Sequence, residues 1–313
     1  MRTAFIETLQ ELAHQDERIV LMVGDLGFGV VVSFMEQLPN QFVNAGVAEQ
    51  NMTGMAAGMA LSGKIVFTYS IANFPILRSL EQVRNDICYH NANVKIVAVG
   101  GGMAYGSLGP SHHATEDLAI MRAIPNMMVV APGDPVETRL AVQALVDYAG
   151  PAYLRLGRAG EPTVHTSRPD FALGRALTVR EGQDITLIST GGQLYDTVQV
   201  ADQLAEQGIS ARVLSMHTLK PLDTEAVLQA ARETPAIVTI EEHSVLGGLG
   251  GAVAEVLMEA EQRPTLFKRI GLKDTFSSIV GDQAYLRGQY QIDKAGIAEA
   301  ISVILEQLTT LDK

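Results

Sequence analysis

The chain has 313 residues, a formal net charge of -12 and a pI near 5.0, which excludes a basic nucleic-acid-binding surface while leaving local Arg free to meet phosphorylated substrates. Hydrophobic residues make up 47%, enough for the cores of about two domains at roughly 150 residues each. Trp is absent, aromatics are 5% and Cys88 is the single cysteine, which argues against a base-stacking surface, an intrachain disulfide and a Cys-based metal site.

The N-terminus lacks a signal-peptide shape. Residues 2–13 then show helical periodicity, with Phe5, Ile6, Leu9 and Leu12 on one side. Residues 18–25 read as a short buried-type strand ending in Gly24-Asp25. Ligands in open parallel sheets gather at such carboxyl ends; a turn residue is the alternative for Asp25. Residues 42–45 make a second strand. Behind it, residues 44–60 start polar and become a run of Gly, Ala and Met. As a helix, this stretch puts Gly54 and Gly58 on one face. Each Gly costs roughly 1 kcal/mol against Ala, a cost accepted where another backbone comes very close. Glu49 lies at the helix entrance, where the dipole and free N–H groups favour a carboxylate. A plain capping acid would sit there too. The most apolar run, residues 52–61, is too short to span a bilayer, so a cytoplasmic soluble protein is expected.

Residues 64–70 form a third strand. Residues 71–75 turn into a helix that runs through Arg78, Glu81, Gln82 and Arg84 to Tyr89 and holds Cys88 as a buried, inert thiol. Residues 94–99 form a fourth strand. The loop 100–110 is too Gly-rich for regular structure and should line a site or change shape; it lacks the order of a P-loop. In His112-His113 the side chains point different ways and no third ligand is spaced for zinc. Residues 126–135 read as strand and turn, a helix starts at Val136, and strand 151–158 closes the first domain. Residues 161–172, rich in Pro, Thr, Ser and Arg, make a linker. A second α/β unit begins near residue 185, with a Gly turn at 191–192, a helix over 194–207, strand 211–216 and strand 236–240 before Glu241-Glu242-His243. No G-x-G-x-x-G and no long repeat is present. The expected fold class is α/β in two domains, 1–165 on a parallel sheet and 178–313 on a smaller mixed or parallel sheet.

Gly46-Val47-Ala48-Glu49-Gln50-Asn51-Met52 resembles the G-x-x-E-x-x-M segment of the pyrimidine-binding domain of transketolase-type thiamine diphosphate enzymes. Residues 109–126, opening Gly109-Pro110-Ser111-His112 and closing Ile124-Pro125-Asn126, resemble the family segment G-P-T-H-x-x-x-E-x-L-A-x-x-R-x-I-P-N; this is the most specific match. Ser189-Thr190-Gly191, residues 217–223 and Glu242-His243 with the glycines at 247–250 resemble the family's C-terminal domain. The resemblance implies that Glu49 meets N1′ of the cofactor's aminopyrimidine, so that the 4′-imino group can take the C2 proton. That role needs a buried carboxyl that shares a proton. It also implies that Asp25 and Leu26 lie beside the cofactor, and that Phe74, with Tyr69 as second choice, stacks on the aminopyrimidine. His112 then faces the donor sugar and Arg158 its phosphate. Arg2 matches another substrate Arg, with a solvated terminal charge as its alternative. His243 reads as a hydrogen-bonded structural residue.

The family's Gly-Asp-Gly segment for Mg²⁺ and diphosphate has no counterpart: Gly-Asp occurs as Gly24-Asp25-Leu26, Gly133-Asp134-Pro135 and Gly281-Asp282-Gln283. The resemblance therefore implies a split enzyme. This chain would hold the pyrimidine ring and a partner, the N-terminal transketolase subunit, would hold Mg²⁺ and the diphosphate, in an α2β2 assembly with an inactive isolated chain. The implied reaction moves a two-carbon ketol unit between sugars or sugar phosphates. Leu108 and Gly29 stand where the family has a substrate-binding Asp and Ser, which points to an unusual, branched or deoxy sugar. Alternatives are the β subunit of a 2-oxo acid dehydrogenase, disfavoured by Gly-Pro-Ser-His-His, a deoxyxylulose phosphate synthase, normally a single chain, and an inactive scaffold subunit.

Overall fold

The computed structural model describes residues 1–27 and 29–311, so the last two positions of the expected second domain lie outside the described residues. Strands β1 (Ile19–Val23), β2 (Phe42–Asn44), β3 (Ile65–Ile71), β4 (Val94–Val99), β5 (Met128–Val130) and β6 (Ala152–Leu156) come from the first part of the chain. Strands β7 (Leu177–Arg180), β8 (Ile185–Ser189), β9 (Ala211–Ser215), β10 (Thr218–Lys220), β11 (Ala236–Ser244) and β12 (Leu266–Leu272) come from the second. The protein is α/β with two domains, as its alternating strand and helix patterns require.

In the first sheet, β5-β6-β4-β3-β1-β2 are neighbours and all parallel. Helices cover both faces, which is why β1 and β4 are buried along their whole length, β1 wholly apolar and β4 apolar but for Lys95, whose ammonium is bonded to the Tyr148 and Gly150 carbonyls. Helices Arg2–Ala13 and Pro135–Asp147 lie on one face, with Phe5, Leu9 and Leu145 clustered against Phe67 and Leu154 of the sheet. Helix Glu49–Leu61 lies on the other, with Met52 and Ala56 against Val66 and Ile96. The second sheet runs β12-β11-β8-β9-β7, parallel except for β7 at its edge. Its core joins Leu187, Val213 and Val238 to Val200 of helix Leu194–Glu206 and Ile301 of helix Lys294–Leu311. No helix among the described residues is long and apolar enough to cross a membrane.

The two domains are sewn together. Strand β10 leaves the second domain and pairs antiparallel with β5, placing Thr218 opposite Val130. One continuous apolar cluster then runs from Met22 and Ile96 to Leu219, Val227 and Leu249.

Two elements differ from the expectation. The helix foreseen up to Tyr89 is broken into Phe74–Leu77, Leu80–Gln82 and a π-helical segment, Val83–Tyr89. The break falls beside Ser79, which is fully buried and turns its hydroxyl back onto the Pro75 carbonyl at 3.3 Å. Strand β11 continues through Glu241, Glu242 and His243, where the apolar pattern stops, because each of these buried polar groups finds a fixed partner.

Candidate active site

The carboxyl ends of β1, β2 and β3 come together at one edge of the first sheet, and the chain segments leaving them build a common site. After β1, Asp25 adopts the left-handed conformation (φ 55°). Its N–H donates to Asn44 Oδ1 at 3.1 Å, and Asn44 Nδ2 donates to Asp25 Oδ1 at 2.9 Å. Asp25 thus ties the ends of β1 and β2 together as a turn residue with an exposed side chain, while Leu26 is half-buried against the core around Phe5.

Beyond this tie the chain enters helix Glu49–Leu61. Glu49 is only 3% exposed. Its Oε2 accepts from Arg78 Nη1 at 3.2 Å. Its Oε1 is buried and has no hydrogen-bond partner among the described residues. An orphaned carboxyl oxygen at a helix entrance is costly, and it fits a ligand that completes its hydrogen bond. The ring nitrogen of an aminopyrimidine is an acceptor, and it pairs with a carboxyl that carries a proton.

Phe74 lies beside Glu49 through Arg78, whose guanidinium carbon sits 4.3 Å over the Phe74 ring. His112 meets the same ring edge-on, with centroids 5.2 Å apart at 66°. His112 Nδ1 is 2.9 Å from Ser111 Oγ, and Asn73 Nδ2 donates to the Ser111 carbonyl at 2.9 Å. Tyr105 is the next ring out, 6.1 Å from His112, and Arg158 lies 5.2 Å over Tyr105. The structure thus brings Glu49, Phe74, His112 and Arg158 into one row, with Arg78 and Tyr105 between them.

Tyr69 is placed differently. It is 1% exposed, and its ring stacks on Phe5 at 5.9 Å. Burial pushes its phenol well above the usual tyrosine range, against the opposing charge of Arg2. Burial also raises Tyr105, and Arg158 and Arg2 oppose that shift. Arg2 is therefore no free terminal charge: it faces both tyrosines, and its Nε is buried without a partner among the described residues.

The Gly-rich loop is closed at its neck, where Gly102 and Ala114 exchange backbone hydrogen bonds of 2.8 and 2.9 Å. His113 is buried and lies with Nε2 2.8 Å from the Gly106 carbonyl, so it braces the loop from inside. Leu108 is exposed on the tip, and Gly29 has open space around it. His243 is fully buried and bonded to the Ala119 N–H at 3.3 Å. Among the described residues, no group of three or more His, Cys, Asp or Glu is arranged to hold a metal.

The sequence reading missed the parts played by Arg78, Tyr105 and Glu242. Only Arg78 carried a signal: four residues after Phe74 on a helix, it falls on the same face.

Comparison with known proteins places these features. Residues 1–161 match the pyrimidine-binding domain of transketolase, and residues 174–297 match the transketolase C-terminal domain. A subunit of the apulose-4-phosphate transketolase of Phocaeicola vulgatus is 44% identical over 300 residues, 95% of each chain. The 6-deoxy-6-sulfo-D-fructose transketolase subunit SqwH of a Clostridium species is 39% identical over 98% of this chain and 95% of its own. A solved structure of a split-gene transketolase, an inactive β4 tetramer, superposes with a TM-score of 0.88 at 40% identity, covering 97% of both chains. The chain belongs to the transketolase family, and within it to the C-terminal subunits of split transketolases.

Proposed function

We propose that this subunit binds the pyrimidine half of thiamine diphosphate and is active only with an N-terminal partner subunit, which holds Mg²⁺ and the diphosphate in an α2β2 assembly. The observation that carries this reading is Glu49: a buried carboxylate with one unpartnered oxygen, at a helix entrance beside an aromatic platform. Thiamine diphosphate, when bound, supplies the acidic thiazolium C–H and the electron sink for C–C cleavage. Protonated at Oε1, Glu49 would donate to the ring N1′, an acceptor in the neutral ring, and share its proton with it. Phe74 offers the face on which the ring lies. Asp25 and Leu26 line the entry from β1. His112, fixed by Ser111, hydrogen-bonds the donor hydroxyls.

The substrate is a ketose with an anionic tail. Arg158 and Arg2, both facing Tyr105, would meet that tail, and an anion there would give the buried Arg2 Nε an acceptor. The relatives named for apulose 4-phosphate and for a sulfonated fructose support a substrate of this chemistry. The exposed Leu108 leaves the acceptor side without a carboxylate.

The partner's seat is the outer face of helix Glu49–Leu61. Val47, Met55 and Leu61 are exposed there, and among the described residues no atom beyond the helix's own neighbouring backbone lies within 4 Å of where a Cβ on Gly54 or Gly58 would be. The close backbone that these glycines call for is therefore not found among the described residues. It would come from the partner, and the site is cytoplasmic.

The test is reconstitution. Wild-type chain with its partner, thiamine diphosphate and Mg²⁺ should transfer a two-carbon unit from fructose 6-phosphate or apulose 4-phosphate to an aldose, and either chain alone should not. Glu49→Ala should abolish transfer while leaving assembly intact. Full turnover by Glu49→Ala would mark the chain as a scaffold.

A further inference from the structure

We infer that Glu242, a residue of the C-terminal domain, positions the loop that carries Tyr105, Leu108, His112 and His113. For its effect on the reaction this rests on the function proposed above; for its effect on the loop it does not.

Glu242 is 4% exposed, near the end of β11. Its Oε1 accepts the Met103 N–H at 2.7 Å, inside the neck of the loop. The rest of the carboxylate is fixed from its own domain. Gln283 Nε2 donates to Oε1 and Oε2 at 3.1 and 2.9 Å, and Arg287 Nε and Nη2 donate to Oε2 at 2.8 and 2.5 Å. Arg287 is steadied in turn by Asp196 at 3.3 Å. The far end of the loop is tied to the same residue: Arg155 Nη2 donates to the Glu242 carbonyl at 3.0 Å and to the Ala114 carbonyl at 2.8 Å.

The packing leaves no slack. Gly102 has φ +66°, and a Cβ there would come within 2.6 Å of the Glu242 carboxyl carbon. A Cβ on Gly106 would meet the Gly281 carbonyl at 2.6 Å, so the segment that leads to Gln283 presses on the loop's turn. All four site residues of the loop lie between the tied points, Met103 and Ala114. Without the carboxylate, the buried Met103 N–H loses its acceptor and the neck is freed. Glu242 touches no reacting atom; it acts through the loop.

Two measurements test this. In the assembled enzyme, with the better donor of fructose 6-phosphate and apulose 4-phosphate, Glu242→Ala should raise the donor KM about tenfold with a smaller change in kcat. It should leave thiamine diphosphate affinity within about twofold, since Glu49 and Phe74 are untouched. Glu242→Gln keeps an oxygen for the Met103 N–H and should recover most of the loss. Asp196→Asn loosens Arg287 but leaves the Met103 N–H its acceptor, and should raise the donor KM less than Glu242→Ala does. In the purified chain, Glu242→Ala should speed hydrogen exchange of amides 103–114 and leave helix Glu49–Leu61 protected. Unchanged donor KM, unchanged loop exchange, or an equal effect of Asp196→Asn would overturn the inference. A wild-type complex that neither binds thiamine diphosphate nor transfers a ketol unit would instead overturn the proposed function, and loop exchange would still decide the role of Glu242.

Discussion

Arg78 reaches Glu49 Oε2 at 3.2 Å while its guanidinium lies 4.3 Å over the Phe74 ring. The proposed aminopyrimidine meets the same two residues, through the free Glu49 Oε1 and the face of Phe74. A ring that takes both must move the guanidinium off Phe74, so Arg78 opposes binding. A half-buried ion pair at 3.2 Å and a partly exposed cation–π contact are each worth about 1 kcal/mol. Arg78→Met should therefore tighten thiamine diphosphate binding to the assembled enzyme by about tenfold, read by calorimetry. Weaker binding would show that Arg78 assists the ring.

Gly54 and Gly58 give a prediction in which stability and assembly part ways. Among the described residues, no atom beyond the helix's own neighbouring backbone meets a Cβ at either position. Gly54→Leu should stabilise the isolated chain by up to about 1 kcal/mol through helix propensity. The same change should abolish association with the partner subunit. Chemical denaturation reads the first effect and sedimentation of the mixed subunits the second.

Much of this site was legible in the sequence. Glu49 and His112 stand in motifs whose spacing is fixed by local structure, a helix entrance and a short loop, so sequence position translates into place. Tyr69 was ambiguous because strand alternation does not say what packs on either face; its place in the core depends on Phe5, from a distant helix. Arg2 looked like a solvated terminus because its neighbours, Tyr69 and Tyr105, are far away in the chain. The departure of β10 to the first sheet was invisible for the same reason, since the residues 217–223 alone do not reveal which edge they pair with.

Asp117 and Arg155 form a buried pair at 2.7 Å, with Asp117 Oδ2 also accepting from the Tyr153 hydroxyl at 2.7 Å. Arg155 is nearly fully buried and links the first domain to β11. Removing one partner strands the other charge. Asp117→Ala should cost about 3–5 kcal/mol, seen as a lower denaturation midpoint. The double change Asp117→Leu with Arg155→Met should recover part of that loss.

The linker carries a pH-dependent clasp. His165 Nε2 lies 2.8 Å from Glu137 Oε1, and Asp134 Oδ2 accepts the Val164 and His165 N–H groups. Burial lowers the His165 pKa, but the hydrogen bond and charge of Glu137 win and hold it above the ordinary 6.5. Burial raises Glu137, yet His165, the charge of His217 and the Gly133 N–H together hold it below 4.5. The protonated His165 therefore stabilises the fold below its unfolded pKa, and that stabilisation is lost as pH rises through the folded value. The Glu137 contribution is present above 4.5 and lost as pH falls through its lowered value. His165→Gln should destabilise the chain below the ordinary histidine value of 6.5 and approach wild type once pH has risen past the raised folded value. Denaturation midpoints across pH check this.

The most direct test of Glu49 as the proton-sharing acid is the exchange of the thiamine diphosphate C2 proton with D2O, followed by NMR after quenching the assembled enzyme. Glu49→Gln should slow that exchange by about 10²–10⁴-fold while the cofactor remains bound. Exchange at the wild-type rate in the Glu49→Gln enzyme would contradict the account.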